Sequence, residues 1–172
     1  MLVDKKNIIR FSDARGEFFE IPNLTKTKIS QYSVSISKKN VIRGIHYQYQ
    51  PAMGKQLVVL QGSILDCIVD LRKEQSTYGR HEVIKATTEQ NSIIYIPPGH
   101  GHSFRCLEDN TILLYLQTTK YNKQSEGGID PFDETLNICW GISKDQAILS
   151  EKDIIAEKFE DFSKKYIDWR LK

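Results

Sequence analysis

The stretch VIRGIHYQYQPAMGK, residues 41–55, places a guanidinium, an imidazole and an ammonium group close together in the chain. Its apolar residues are typical of a β-sheet, yet Arg43 and His46 stand among them and Lys55 follows a turn. Sheet cores rarely admit such groups without a purpose. Taken singly, His46 is more simply a hydrogen-bonded core histidine, and Lys55 a solvated strand end. Their occurrence together in one small β-rich chain favours a functional cavity.

Two further histidines raise the question of a metal ion. In IPPGHGHSF, Pro97, Gly99 and His102 match the P-x-G-x-x-H pattern of metal-binding cupins, with His100 between them. A cupin metal site also needs an H-x-H cluster followed by a glutamate, where this chain has HYQYQ, residues 46–50. Two or three imidazoles without a carboxylate could still hold a metal. We nevertheless predict a site without one.

Length and composition limit the class of protein. A chain of 172 residues, 40% apolar and 27% charged, predicts one soluble domain over residues 1–172. The net charge of +2 is too small to indicate nucleic acid as a partner. No apolar run approaches the roughly 20 residues of a membrane span, and the charged N-terminus does not resemble a signal peptide. Three cysteines without CxxC spacing indicate neither disulfides nor zinc, so we expect a cytoplasmic protein.

Short apolar runs rich in Val, Ile, Tyr and Thr alternate with turn residues from about residue 29 to residue 119. A spacing of about ten residues between strands is typical of an antiparallel sandwich or barrel. We predict strands near 29–37, 40–48, 55–61, 63–71, 81–87, 92–96, 102–107 and 111–119. The expected fold class is all-β, an antiparallel jelly-roll (cupin-like) barrel whose mouth can hold a small ligand.

The spacing of the apolar residues changes in the C-terminal part of the chain. Ile155, Phe159, Phe162 and Tyr166 recur at i, i+4, i+7 and i+11, which is one face of an α-helix. Ser150 is a residue type that commonly forms an N-cap, and Asp153, three residues later, matches one half of a capping box. We therefore predict a C-terminal helix over about 150–166.

Beyond these patterns, the chain resembles the dTDP-4-dehydrorhamnose 3,5-epimerase family from about residue 10 to residue 156. The order and spacing of the matching segments fit throughout, so the resemblance does not depend on a single motif. The segments are SDARGEFFE (12–20), SKKNVIRGIHYQ (37–48), GKQLVVLQGSILDCIVDLRKEQSTYGR (54–80), IYIPPGHGHSF (94–104), LLYLQTTKY (113–121) and LSEKD (149–153).

The resemblance implies a cofactor-free jelly-roll homodimer acting on a nucleotide-linked 4-keto-6-deoxy sugar. The ketone at C4 acidifies the hydrogens at C3 and C5, so inversion needs a base, an acid on the opposite face and donors at the enolate oxygen. His46 matches the family's base and Asp153 the carboxylate that orients it. Tyr115 matches the acid, and Lys55 and His102 match groups near the oxyanion. No hydride moves, and the chain has no GxGxxG turn for a nicotinamide.

The resemblance also implies where the nucleotide binds. Arg15 and Arg43 match diphosphate contacts, for which a guanidinium fork is suited. Glu20, Gln31 and Tyr121 match positions around the nucleotide or the sugar. In the family, the segment holding Arg15 and Glu20 crosses the dimer interface, which implies shared active sites.

Departures from the family leave alternatives open. After Gln31 the usual polar Asp-Asn-His-Ser run is replaced by residues 32–35, YSVS, and PPGHGH replaces a more usual Pro-Glu-Gly-Phe-Ala-His. The expected activity is epimerisation at C3, C5 or both, with dTDP as the favoured carrier. The alternatives are a single-centre epimerase, a 3,4-ketoisomerase, a metal-dependent cupin enzyme and a non-catalytic sugar-binding jelly roll.

One prediction concerns the backbone. In a regular strand, residues 43 and 46 point to opposite faces, yet this function needs Arg43 and His46 in one cavity. Glycine in a strand often marks a bulge, which shifts the phase of the side chains. We therefore predict an irregular strand at Gly44.

Overall fold

The computed structural model describes residues 4–90 and 92–169, and it is dominated by β-strands. Apart from the strands, this part of the chain contains a 3-10 helix, Lys144–Gln146, and two short α-helices, α1 (Glu151–Ile154) and α2 (Phe159–Ser163). The strands are β1 (Asp4–Asn7), β2 (Arg10–Asp13), β3 (Gly16–Phe19), β4 (Gln31–Ser37), β5 (Ile42–Gln48), β6 (Lys55–Gln61), β7 (Ser63–Asp70), β8 (His81–Thr87), β9 (Ser92–Ile96), β10 (His100–Cys106), β11 (Thr111–Gln117) and β12 (Glu126–Gly128).

The strands form two five-stranded sheets and a separate hairpin. The first sheet has the order β1-β9-β6-β11-β4, the second has the order β12-β5-β10-β7-β8, and β2 pairs with β3. Neighbouring strands are antiparallel, so the predicted all-β, antiparallel jelly-roll class is confirmed. Each of the eight predicted strands is present, with ends shifted by at most two residues. Strands β1, β2, β3 and β12 were not expected from the sequence.

The space between the two sheets is filled by apolar side chains that alternate along the strands. Those from the first sheet include Leu57, Ile94 and Leu113, and those from the second include Ile68 and Phe104. Each of these residues is at most 2% exposed. Burial of side chains of this size contributes about 1.5–3 kcal/mol each, which fixes the register of both sheets.

The outer face of the second sheet is covered by the C-terminal part of the chain. Trp140, Phe159 and Phe162 pack there against Ile42 and Ile45 of β5. The buried Trp140 indole N–H donates to the carbonyl of Pro131 at 2.7 Å, so its polar atom is satisfied. This packing holds the segment that carries α1 against β5.

The C-terminal helix is interrupted. Helices α1 and α2 are separated because Glu157 bridges to Ile129 in the manner of a parallel strand, and the Asp133 carboxylate accepts the N–H of Phe159 at 2.9 Å. The predicted apolar face is therefore only half formed. Phe159 and Phe162 are buried, whereas Ile155 is 82% and Tyr166 85% exposed. Among the described helices, none is long and apolar enough to span a membrane.

Candidate active site

An open cavity of about 260 Å³ lies between the edges of the two sheets. It is lined by five of the side chains singled out in the sequence: Arg43, His46, Lys55, His102 and Tyr115. The two histidines come from β5 and β10 of the second sheet, while Lys55 and Tyr115 come from β6 and β11 of the first. The two imidazole groups therefore face an ammonium group and a phenol across the cavity.

A bulge at Gly44 brings Arg43 and His46 to the same cavity. On β10, His102 pairs with His46 and Phe104 pairs with Arg43, so three steps on β5 oppose two on β10. Gly44 has a φ of 108°, and its peptide bond to Ile45 is cis. A Cβ at this position would lie 2.3 Å from the His102 carbonyl oxygen. The predicted irregularity at Gly44 is confirmed, and only glycine fits there.

His46 and Asp153 form a hydrogen-bonded pair at the cavity wall. His46 Nε2 lies 2.6 Å from Asp153 Oδ1, and the side chains are 26% and 4% exposed, respectively. Burial raises the pKa of Asp153, but hydrogen bonds from His46, Ser150 and the Gly44 backbone outweigh it, and the net pKa is lowered. Asp153 is therefore a carboxylate at neutral pH that orients the imidazole and can stabilise its protonated form.

Asp153 also has the structural role that the sequence indicated. Its backbone N–H donates to Ser150 Oγ at 3.2 Å, and the Ser150 hydroxyl donates to Asp153 Oδ2 at 2.8 Å. Ser150 is therefore the N-cap of helix α1, and Asp153 takes part in this cap while its carboxylate also binds His46. The structural contact and the proposed catalytic contact are compatible in one residue.

Tyr115 faces His46 from the opposite sheet. Its hydroxyl lies 3.0 Å from Ser35 Oγ on β4, and its ring packs 6.5 Å from that of Phe104, centroid to centroid. Burial raises the pKa of Tyr115 well above its ordinary value, against opposing effects of Ser35 and Arg43. Tyr115 is thus a protonated phenol at neutral pH, as a general acid must be.

Positive charge and a second histidine–carboxylate pair complete the cavity. Burial lowers the pKa of Lys55 to about 8, and its Nζ lies 3.5 Å from the His46 carbonyl oxygen. His102 Nε2 lies 2.7 Å from Asp66 Oδ1, and the side chains are 5% and 0% exposed. Burial lowers the pKa of His102, although Asp66 opposes this. Lys55 and the protonated form of His102 can both act on negative charge that develops in the cavity.

Two other predicted residues lie beside the cavity without lining it. The Tyr121 backbone N–H donates to Gln31 Oε1 at 2.9 Å, and the Tyr121 hydroxyl donates to Glu126 Oε2 at 2.7 Å. Glu126 in turn pairs with Lys152 at 2.6 Å. The exposed Tyr121 ring, 52% accessible, is therefore held at the surface next to β12.

The structure does not bring Arg15 and Glu20 to the cavity of their own chain. Arg15 is in the turn of the β2–β3 hairpin, where it pairs with Asp13 at 2.5 Å and its side chain is 89% exposed. Glu20 follows β3 and is exposed as well. Neither residue lines the space between the sheets.

The sequence interpretation missed some cavity groups. Asp66 stands in the apolar strand SILDCIVD at an inward position, between Ile64 and Ile68. A single charge at a core-facing position of a buried strand is the signal that identifies it. Ser35 and Ser37 also face inward, and the alternation of serines along β4 is their signal.

Across residues 4–90 and 92–169, no three His, Cys, Asp or Glu side chains are arranged to hold a metal ion. His46 and His102 instead direct Nε2 to separate carboxylates. A metal-free site stays a prediction, which metal analysis of the purified protein tests. Stoichiometric iron, manganese or nickel would contradict it.

Comparisons with known proteins give a consistent result. The family model for dTDP-4-dehydrorhamnose 3,5-epimerase matches residues 6–161. The chain is 37% identical over 155 residues to a dTDP-4-dehydrorhamnose 3,5-epimerase of Salmonella typhimurium, covering 85% of this chain and 84% of that protein. It is 34% identical over 140 residues to a dTDP-4-dehydro-6-deoxyglucose 3-epimerase of a Streptomyces species, covering 81% and 71%.

A solved structure extends this result to the fold. The dTDP-6-deoxy-D-glucose-3,5-epimerase of Legionella pneumophila, crystallised with dTDP-4-keto-L-rhamnose, matches with a TM-score of 0.90 and 29% identity, covering 99% of this chain and 94% of that one. The family model covers the hairpin, both sheets apart from the first half of β1, helix α1 and part of α2. The chain therefore belongs to the dTDP-4-dehydrorhamnose 3,5-epimerase family and is an isomerase.

Proposed function

We propose that this protein inverts C3, C5 or both of a dTDP-linked 4-keto-6-deoxy sugar through an enolate. The observation that carries the proposal is the placement of His46 and Tyr115 on facing sheets of one cavity. Inversion requires that a proton leaves one face of the carbon and another arrives at the opposite face. A base on one wall and an acid on the other meet that requirement.

The steps assign a role to each cavity group. His46, oriented by Asp153, removes the proton from the carbon next to the ketone, and the electron pair moves to the C4 oxygen. Lys55 and His102 stabilise the resulting enolate oxygen. Tyr115 then donates its proton to the opposite face of that carbon while the ketone re-forms. No electrons leave the substrate.

A positively charged side chain at the edge of the cavity, that of Arg43, binds the diphosphate of the nucleotide. Arg43 reaches the cavity edge, where its Nε and Nη2 both donate to Ser37 Oγ at 3.2 Å. A guanidinium fixed in this way presents its remaining donors to paired phosphate oxygens. Gln31 and Tyr121 contact the nucleoside, with the exposed Tyr121 ring available for stacking.

The protein acts as a homodimer with shared sites. Tyr32, Val34 and Ile36 are 67%, 59% and 65% exposed along the outward face of β4, the edge strand of the first sheet. Phe11 and Phe18 of the hairpin are 60% and 63% exposed. Apolar surface of this extent is typical of an interface. The partner's hairpin then supplies Arg15 and Glu20 to the cavity that they do not reach in their own chain.

Solvent deuterium exchange tests the proposed reaction. The protein is incubated in D2O with dTDP-4-keto-6-deoxyglucose, and the hydrogens at C3 and C5 are followed by NMR. Deuterium at both carbons supports a 3,5-epimerase, and deuterium at C3 alone supports the 3-epimerase activity named for the Streptomyces relative. A non-catalytic sugar-binding protein leaves both positions unlabelled, which is the result that contradicts the proposal.

A further inference from the structure

Strand β4 turns a row of serines toward the inside of the fold, and two of them, Ser33 and Ser35, line the cavity. Its residues alternate, so that Tyr32, Val34 and Ile36 face outward while the serines between them face inward. Each inward serine contacts a polar side chain of another strand: Ser33 donates to Gln117, Ser35 contacts Tyr115, and Ser37 accepts from Arg43. The row is therefore a set of supports behind the groups that meet the substrate.

The contact with Tyr115 stands out because it engages the proton that the reaction uses. Packing against Phe104 holds the Tyr115 ring, but ring packing leaves the direction of the O–H bond free. Ser35 Oγ, at 3.0 Å, is the hydrogen-bond partner of the Tyr115 hydroxyl among the described residues. Which of the two hydroxyls donates decides where the Tyr115 proton points.

We propose that Ser35 is a positioning residue for proton delivery by Tyr115, an inference that rests on the proposed function. The Ser35 hydroxyl donates to the Tyr115 oxygen, which leaves the Tyr115 O–H directed into the cavity. When that O–H bond breaks, a C–H bond forms at the substrate carbon, and the enolate electrons restore the C4 ketone. The tyrosinate that remains accepts the Ser35 O–H until solvent returns a proton.

Because the Tyr115 side chain is partly buried, a hydrogen-bond donor to its oxygen stabilises the charge that forms there. Burial raises the pKa of Tyr115, which means that its charged form is poorly solvated there, while the Ser35 hydrogen bond opposes the rise. A donor that is already in place when charge appears on the oxygen costs no reorganisation. The diagonal placement of Ser35 and Tyr115 on paired antiparallel strands keeps this donor fixed, since Leu113 is the direct partner of Ser35.

The test is the partition between inversion and exchange, measured on the same dTDP-4-keto sugar in D2O. His46 alone suffices to remove a proton and to return a deuteron to the same face, whereas inversion needs Tyr115. In Ser35→Ala we expect inversion to fall about tenfold, with exchange without inversion unchanged. Ser35→Thr retains a hydroxyl and is expected to restore most of the inversion.

Ser30→Ala is the matched control, because the Ser30 hydroxyl donates to the Thr118 carbonyl at 2.9 Å just beyond the ends of the same two strands, away from Tyr115. Its partition should equal that of the unchanged protein. An unchanged partition in Ser35→Ala, or a loss in Ser35→Thr as large as in Ser35→Ala, would overturn the role of Ser35. If the unchanged protein incorporates no deuterium, the proposed function fails, and the inference falls with it.

Discussion

At the level of single residues, two histidines each bind a buried carboxylate, yet their surroundings fit them for different work. The His46 side chain is 26% exposed toward the cavity, whereas that of His102 is 5% exposed. A base must reach the carbon and then exchange its proton with solvent, which favours His46. A fully buried His102, held by Asp66, is suited to a fixed contact with the enolate oxygen. The two His–Asp pairs thus have the same composition, and their different exposure suits them to different roles.

The division between base and acid predicts different defects in two variants. His46→Ala should lose both solvent exchange and inversion, because no group then removes the proton. Tyr115→Phe should retain exchange and lose inversion by roughly 100-fold or more, since general acid catalysis contributes that much. Deuterium incorporation and product configuration are read from the same NMR samples. Equal residual inversion in the two variants would contradict the assignment.

The charge of Lys55 predicts the alkaline side of the pH profile. Burial lowers the pKa of Lys55 to about 8, so the ammonium is present below this pH and is lost as the pH rises through it. Because the charged form stabilises the enolate in the proposed reaction, kcat/KM should fall above about pH 8. Tyr115 does not cause this decline, since its pKa is raised and it stays protonated.

The variant Lys55→Arg tests whether Lys55 causes that decline. A guanidinium stays charged throughout the range, so this variant should keep a lower activity without the decline near pH 8. The kcat/KM profile from pH 6 to pH 10 is the measurement. A profile with the same decline in both proteins would assign it to another group.

At the level of secondary structure, the bulge in β5 connects fold and site. Ile42 and Ile45 both pack outward into the cluster around Trp140 although they are three residues apart, and Arg43 and His46 both reach the cavity. The shift also presents the Gly44 backbone N–H to the Asp153 carboxylate. One irregular residue therefore places His46, Arg43 and the Asp153 carboxylate, the groups proposed to act as the base, the diphosphate contact and the group that orients the base.

Gly44→Ala should disturb this arrangement. A Cβ would meet the His102 carbonyl oxygen at 2.3 Å, and the φ of 108° is unfavourable for alanine, so we expect a loss of stability of about 1–3 kcal/mol. Inversion should fall by about tenfold or more, because a displacement of the base of even 1 Å is costly. Denaturant unfolding and the exchange assay measure the two effects.

Gly128→Ala is the control for this substitution. Its Cβ would have no neighbour closer than 3.6 Å, although Gly128 lies in β12 next to β5. We expect a change in stability within about 0.5 kcal/mol. If Gly44→Ala were as stable and active as Gly128→Ala, the bulge would not need a glycine at this position.

The strands could be predicted from the sequence because each is a short run rich in apolar and β-branched residues between turn residues. A clear period of two is present in β4, whereas β7 and β10 are buried on both faces. The bulge could be predicted because Arg43 and His46 must share a cavity. The interruption of the C-terminal helix could not, since it depends on a bridge between Glu157 and the distant Ile129. The position of Asp66 in a buried strand marks it as unusual, but its pairing with His102, 36 residues away, could not be predicted from the local pattern. Local patterns record which face is buried, but not which distant group completes a pair.

At the level of the whole molecule, the β2–β3 hairpin is separate from both sheets. It carries Arg15 away from the cavity of its own chain, with 89% of that side chain exposed. The resemblance to the family implies that Arg15 contacts a diphosphate and that the active sites are shared between two chains. Closed two-fold symmetry is the simplest such arrangement, since the same hairpin then serves the partner's cavity while the partner's hairpin serves this one.

This arrangement predicts that two damaged proteins can restore one another. In the proposed reaction, His46→Ala removes the base and Arg15→Ala weakens diphosphate binding, so each homodimer should have a low kcat/KM. In a mixed dimer with shared sites, one cavity carries both changes and the other carries neither. Unfolding and refolding the two variants together in equal amounts makes half of the dimers mixed, and activity should rise to about a quarter of the unchanged protein's. Refolding each variant alone is the control. If cavity and hairpin instead belonged to one chain, the refolded mixture would show no more than the mean activity of the two variants.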